Sequence, residues 1–272
     1  MTRETGLAPV MQTVVRRIWE RGRVSCDEDV IVIETPVALV YNGISHVVMM
    51  ATPADLEDLA LGFSLSEGIV QGRDEMLDLE VFAREQGIEV AMTISAAAFA
   101  GLKERRRNLV GRSGCGLCGV ESLEQAIPEP VRVGDDVRLS HRVLQSAALA
   151  LGQRQSLKRL TGGVHGAAWC DASGAIELVR EDVGRHNALD KLLGALQGSA
   201  HAANGFALVT SRASYEMVAK AAACNIQVLA AVSAATSLAV SQAEQSGLTL
   251  VGFVQSGRQV IYANPQRLVE ED

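Results

Sequence analysis

Two cysteines three residues apart, Cys115 and Cys118, lie in a glycine-punctuated stretch, Gly111-Arg112-Ser113-Gly114-Cys115-Gly116-Leu117-Cys118-Gly119. Such a pair supports several chemistries. A structural zinc site takes four ligands, usually from two pairs. The chain has no second pair, only the isolated Cys26, Cys170 and Cys224 and its histidines, so no metal is expected. A dithiol–disulfide couple normally sits at the start of a helix after a strand, where the helix end lowers one thiol pKa. A nucleophilic sulfur carrier instead needs a mobile loop that visits a donor and then an acceptor, and nearby cations to lower a thiol pKa from about 8.5. Glycines around and inside the pair suit the mobile loop, and Arg105, Arg106, Arg107 and Arg112 are the nearby cations. An inert pair is disfavoured, because inert cysteines sit among apolar residues. Physical chemistry alone leaves the redox and carrier readings level.

A second set of polar residues follows apolar, strand-like runs in the C-terminal half. Residues 175–179 lead to Arg180-Glu181-Asp182-Val183-Gly184-Arg185-His186-Asn187, and 206–209 to Thr210-Ser211-Arg212-Ala213-Ser214. Residues 227–232 lead to Ser233-Ala234-Ala235-Thr236, and 248–254 to Gln255-Ser256-Gly257-Arg258. Helical patterns at 188–196, 215–223 and 237–245 follow the first three, and a last strand, 259–263, follows the fourth. Alternating strands and helices predict a mainly parallel sheet covered on both faces.

In open α/β sheets ligands bind beyond the carboxyl ends of the strands, and helix N-termini there favour anions. Any one of these loops is an ordinary cap or turn; Asn187 with Asp190 has the form of a capping pair. Four along one rim, with arginines among them, predict a site for a polar, phosphate-bearing or guanine-like ligand. His165, in the loop-like stretch 161–166, and His186 are open to ligand, acid–base and structural roles. A hydrogen-bonded structural role is the default for each.

Other elements must carry these residues. In the N-terminal half, 29–40 reads as a strand, Asn42-Gly43 as a hairpin turn and 45–50 as the returning strand. Pro53 opens a helix over 54–67, with Leu56, Leu59, Ala60 and Phe63 on one face. Strands at 79–82 and 87–94 precede a helix over 95–107. Residues 127–136, with Pro128, Pro130 and Gly134, read as a linker, and a helix over 141–158 follows. The expected domains are 1–126 and 137–272.

At 272 residues and 48% hydrophobic, the chain can bury a sizeable core, and the scarcity of aromatics (4%) suits tightly layered α/β packing. A net charge of −7 gives no reason to expect nucleic-acid or membrane-surface binding. No run is long and apolar enough for a signal peptide or membrane span, so a soluble, cytoplasmic protein is expected. Five cysteines, an odd number, argue against a disulfide framework.

With these residues placed, the chain resembles the FdhD family of formate dehydrogenase accessory sulfurtransferases. The likeness runs from roughly Glu34 to Leu268, through ETPVALVYNG, GRSGCGLCGVE, TGGVHGAA, REDVGRHNALDK, SRASYEMVAKAA, VSAATSLAV, LTLVGFV and GRQVIYANPQRL. The resemblance implies a two-domain homodimer: a smaller N-terminal α+β domain and a C-terminal α/β domain with a cytidine-deaminase-like fold. The deaminase zinc signature is absent, so deamination is not expected.

The resemblance implies that a cysteine desulfurase loads Cys115 with persulfide sulfur. The acceptor would be the molybdenum bis(molybdopterin guanine dinucleotide) cofactor, then delivered to formate dehydrogenase, with Cys118 as the second catalytic candidate. It also assigns Phe253, Val254, Gln255, Ser256, Gly257 and Arg258 to cofactor binding. The rim adds Ser211, Arg212, His165, Arg185 and His186, and guanosine diphosphate (GDP) is the expected mimic. Two rivals are a cofactor-binding chaperone and a dithiol oxidoreductase.

Overall fold

The computed structural model describes residues 9–109, 130–197 and 204–270. The chain begins with an antiparallel ribbon, β1 (Met11–Glu20) and β2 (Arg23–Val32), turning at Arg21-Gly22. Both turn residues are left-handed (φ 50° and 81°), as a two-residue hairpin turn that follows strand twist requires. The strand expected over 29–40 is therefore two, β2 and β3 (Thr35–Tyr41), parted at Ile33-Glu34. One ribbon face presents Met11, Val15, Trp19 and Val24 to solvent, with Val15 77% and Trp19 74% exposed.

A four-stranded sheet follows in the order β4-β3-β6-β5, with β4 Ile44–Ala51, β5 Met76–Arg84 and β6 Gly87–Ile94. The Asn42-Gly43 turn is present, with φ of 47° and 81°. Helices α1 (Leu56–Ser66) and α2 (Ala96–Leu109) cover one face. Leu56, Leu59, Leu65 and Leu102 pack there on Val37, Leu39, Val90 and Met92. The Ser95 hydroxyl caps α2 by accepting from the Ala98 N–H (3.1 Å).

The second half starts with β7 (Leu139–Ser140) and α3 (His141–Arg154). The helix expected over 141–158 breaks at Gln155, and α4 (Ser156–Thr161) completes it. A six-stranded sheet then forms in the order β13-β12-β11-β10-β8-β9. Its strands are β8 (His165–Asp171), β9 (Ile176–Asp182), β10 (Gly205–Val209), β11 (Val228–Ala231), β12 (Thr249–Gln255) and β13 (Arg258–Ala263).

Only β10–β11 and β11–β12 pair in parallel; the other three pairings are antiparallel. The expectation of a mainly parallel sheet is thus corrected to a mixed one. Its cause is two hairpins: β8–β9, where the Asp171 carboxylate gathers the Ser173 and Ala175 N–H groups, and β12–β13, at Ser256-Gly257. The start of β8, expected as a loop, is a strand, and its buried run Gly166–Ala168 carries none of the alternation that marks one in sequence.

Helix α3 covers one face, with Leu144, Ala147 and Leu151 on Phe206, Leu208, Ala230 and Val251. The other face is covered by α5 (Arg185–Gln197), α6 (Tyr215–Ala223) and α7 (Ser237–Ser246).

The two layered halves meet where α1 crosses α5, and two glycines let the backbones touch. A Cβ on Gly62 would lie 1.7 Å from the Asp190 carbonyl oxygen; one on Gly194 would lie 2.0 Å from that of Asp58. Buried polar groups flank the crossing. Lys191 pairs with Asp182 on one side; on the other, Asp190 accepts from Ser66 and Lys220.

At the far end, the last strand, β14 (Leu268–Val269), pairs in parallel with β7. The neighbouring Arg267 is buried and donates to the carbonyls of Gly247 and Gly134. Residues 130–136, the described part of the expected linker, are held down rather than free. Val133 N–H donates to Ser246 O, Gly134 N–H to Asn225 Oδ1 and Asp136 N–H to Gln227 Oε1.

Candidate functional site at the sheet edge

Although the sheet is mixed, β9, β10, β11 and β12 run in one direction, because β8 reverses between β9 and β10. Their carboxyl ends, Asp182, Val209, Ala231 and Gln255, therefore share one edge. The starts of the two reversed strands join them: His165 is opposite Asp182, and Arg258 is opposite Gln255. All the expected cofactor-binding residues belong to this edge or to the loops and helix turns leaving it. Five inter-strand spacings of about 4.8 Å make it roughly 24 Å long. Helices α5, α6 and α7 all start here, so their free N–H groups point to the same rim. One is taken at α7, where Thr236 Oγ1 accepts from Ala239 N–H (3.3 Å).

At the β12 end, the strand carries a bulge between Gly252 and Gln255, and Phe253 is left-handed (φ 52°). That conformation is rare for an aromatic residue and marks local strain. It is held by the Phe253 N–H donating to Ser233 O (3.0 Å). Gly252 is required beside it, since a Cβ would sit 2.8 Å from the Tyr262 ring. The bulge turns Phe253 out to solvent, and the Arg258 guanidinium lies 5.4 Å from its ring centroid.

Val254 has the opposite fate. Its side chain is buried in the core under α3, which leaves only its backbone for a ligand. Gln255, Ser256 and Gly257 form an exposed tip, fastened to α3 by the Gly257 N–H donating to Gln145 Oε1 (2.9 Å).

In the middle, Ser211 is buried and its hydroxyl donates to the Arg212 carbonyl (3.0 Å), while the Arg212 side chain is exposed. At the β9 end, α5 begins at Arg185, three residues earlier than expected. Asn187 is therefore not a cap but an interior residue whose amide donates to Met50 O (2.9 Å) and Asp182 Oδ1 (3.0 Å). Arg185 and His186 occupy the first turn. His186 Nε2 lies 2.9 Å from Glu216 Oε2 on α6, and the Arg185 guanidinium 3.9 Å from the same oxygen.

Burial pushes the His186 imidazole below its ordinary pKa, opposed by Glu216 and reinforced by Arg185. Burial, then Arg185 and Lys158, lower His165 likewise. The lowering favours the neutral ring at each, a form that adds hydrogen-bonding atoms rather than charge. Sequence reasoning missed Gln145 and Glu216, because each acts across elements distant in the chain, and the Asp182–Asn187 contact, because Asn187 reads as a helix cap.

Cys115, Cys118 and Arg112 lie outside the described residues. The chain on either side of them converges on one corner. Arg105 of α2 donates to the carbonyls of Glu67 and Gly68 (3.0 and 2.7 Å). Pro130 and Val131 line a cavity of about 190 Å³ with those same two residues. The described cysteines are free. Burial raises the thiols of Cys170 and Cys224 to about 12, so neither is a ready nucleophile, and Cys26 is exposed on the ribbon. Among the described residues no cluster fit to hold a metal ion occurs, and no helix is long and apolar enough to cross a membrane.

These features define a mixed α/β protein whose larger sheet has one edge where three helices begin. The family model described as the FdhD/NarQ family matches residues 32–269, and the chain belongs to that family. A "Sulfur carrier protein FdhD" of Cupriavidus necator is 56% identical over 264 residues, covering 97% of this chain and 92% of that one. Its namesake in Variovorax paradoxus is 52% identical, over 89% of this chain and 87% of its own. The fold is also that of a solved structure of a candidate formate dehydrogenase accessory protein from Desulfotalea psychrophila. That chain aligns with a TM-score of 0.74 at 24% identity, over 96% of this chain and all of the other.

Proposed function

We propose that the protein is a sulfur carrier serving formate dehydrogenase, accepting persulfide sulfur at Cys115 and passing it to the molybdenum bis(molybdopterin guanine dinucleotide) cofactor held at the sheet edge. The observation that carries this reading is the convergence of every candidate ligand residue on one edge with three helix N-termini. Support for the sulfur chemistry comes from the family and from the names of its relatives.

In the first step, the Cys115 thiolate attacks the terminal sulfur of a desulfurase persulfide, and the desulfurase cysteine leaves as thiolate. Cys118 then takes the sulfur in turn, or displaces it as sulfide by forming the Cys115–Cys118 disulfide. At the edge, Phe253 offers a face for a purine ring, and Arg258, Arg212 and Arg185 face phosphates. The same reading takes the protein as a cytoplasmic homodimer, with domains 1–126 and 137–272 and deaminase-like layering in the second.

The test is intact mass after incubation with a cysteine desulfurase and L-cysteine, on wild type and Cys115→Ser. A gain of one sulfur on wild type alone is the expected result. No gain on either would replace the carrier with a cofactor-binding chaperone. GDP titration of Arg258→Ala addresses the edge, and unchanged affinity would remove Arg258 from it.

A further inference from the structure

Asp182 and Lys191 are both completely buried, with Lys191 Nζ 2.7 Å from Asp182 Oδ2. A buried ion pair contributes little net stability compared with packed apolar side chains of similar volume. What this pair adds is connection. Asp182 Oδ2 also accepts the Thr52 N–H (3.0 Å), and Oδ1 accepts the Gly184 N–H (2.8 Å) and the Asn187 amide (3.0 Å). Lys191 donates onward to Thr52 O (2.9 Å), Asn187 to Met50 O (2.9 Å), and Val183 N–H to Thr52 Oγ1 (3.2 Å). The partners fall into two groups: the connection from β4 to α1, and the turn from β9 into α5. Gly184 and Asn187 bracket Arg185 and His186 in the chain.

We propose that Asp182, Lys191 and Asn187 are positioning residues, which lock the first turn of α5 to the β4–α1 connection and so fix Arg185 and His186 on the ligand-binding edge. This rests on the reading of that edge as a nucleotide site. The network touches no ligand; it acts through the backbone on either side of the two residues that face one. A displacement of about 1 Å in a positioned group costs as much as a hundredfold in function, so release of this turn is expected to weaken binding well before the fold fails.

The experiment compares wild type with the paired apolar variant Asp182→Leu/Lys191→Met in the full chain. Thermal unfolding measures stability, calorimetric titration with GDP measures binding, and NMR follows the titration of His186. The expected result is a folded protein with a lowered melting temperature, since the Thr52 and Gly184 N–H groups and the Asn187 amide lose their acceptor, GDP binding about 10- to 100-fold weaker, and a His186 pKa moved towards its ordinary value as the ring leaves its burial beside Glu216, Arg185 and Lys220. A purely structural network predicts the same loss of stability with unchanged binding and an unmoved His186, and that result overturns the proposal. Weaker binding with an unmoved His186 also overturns it, because the loss then arises elsewhere. If the paired variant does not fold, Asn187→Ala, which removes only the link to Met50 and Asp182, is read by the same three measurements. Failure of wild type to bind GDP would sink the nucleotide reading alone, and the His186 titration would still decide the positioning.

Discussion

Replacing Gly62 with alanine sets two opposed effects against each other. Helix propensity favours the change by about 1 kcal/mol, since glycine inside a helix is costly. The crossing with α5 opposes it, because the new Cβ would lie 1.7 Å from the Asp190 carbonyl oxygen, and ordinary contact is about 3.5 Å. The helices must therefore part by roughly 1.5–2 Å or distort. Such overpacking costs about 1–3 kcal/mol. Parting by that much also takes the Ser66–Asp190 hydrogen bond, now 2.7 Å, out of range, and a hydrogen bond to a charged group contributes about 1.5–3 kcal/mol. The balance is a loss of about 3 kcal/mol, or a melting temperature lower by roughly 6–12 °C for a chain of this size. Urea unfolding followed by circular dichroism measures it. Gly101→Ala in α2 and Gly152→Ala in α3 serve as controls, because a Cβ at either meets nothing within 4 Å. Both should gain up to about 1 kcal/mol. A Gly62→Ala protein as stable as those controls would refute the close crossing.

Three further outcomes are expected. Acrylamide should quench Trp19, 74% exposed on the ribbon, strongly and Trp169, 6% exposed in the core, weakly; equal quenching would mean the ribbon is packed away. Maleimide at neutral pH should label Cys26 in the native protein and reach Cys170 and Cys224 only on unfolding, as their raised thiol pKa and burial require; mass spectrometry of digests reads the sites. The lowered pKa values of His165 and His186 mean that protonation favours the unfolded chain. Their contribution to stability is complete above the ordinary value of 6.5 and is lost as pH falls below it. Unfolding midpoints of wild type should therefore decline more steeply from pH 7 to 5 than those of His165→Gln/His186→Gln, and parallel curves would contradict the assignment.

Where a short-range signal existed, the sequence located elements closely. Asn42-Gly43 dictates its turn locally, strand Gly87–Ile94 and helix Tyr215–Ala223 carry clear periods, and all three match the expected bounds. The ribbon escaped notice because both its faces are largely exposed, so no burial alternation is written into it, and Arg21-Gly22 lacks the usual hairpin residues. Strand direction was legible only in part. Alternating strands and helices correctly set β9 to β12 pointing one way, but which strands lie side by side depends on packing. The inserted β8 could not be read from spacing. Of the candidate residues, Val254 shows the limit most clearly. The run 248–254 gives no hint that a bulge at Phe253 turns one residue outward and buries the next.

The arrangement of Arg267 and β14 bears on how the chain is made. Synthesis runs from the N-terminus, and domains generally fold as units while it proceeds. Here the stretch at 134–140 is closed by residues far along the chain: Arg267, 133 residues after Gly134, grips its carbonyl, and Leu268–Val269 pairs with Leu139–Ser140. That closure cannot form until Arg267, Leu268 and Val269 have left the ribosome. The partners at 134–140 emerge much earlier than the residues that close them. The stretch at 134–140 thus emerges early and is fastened late, after the strands of both layered sheets have been made.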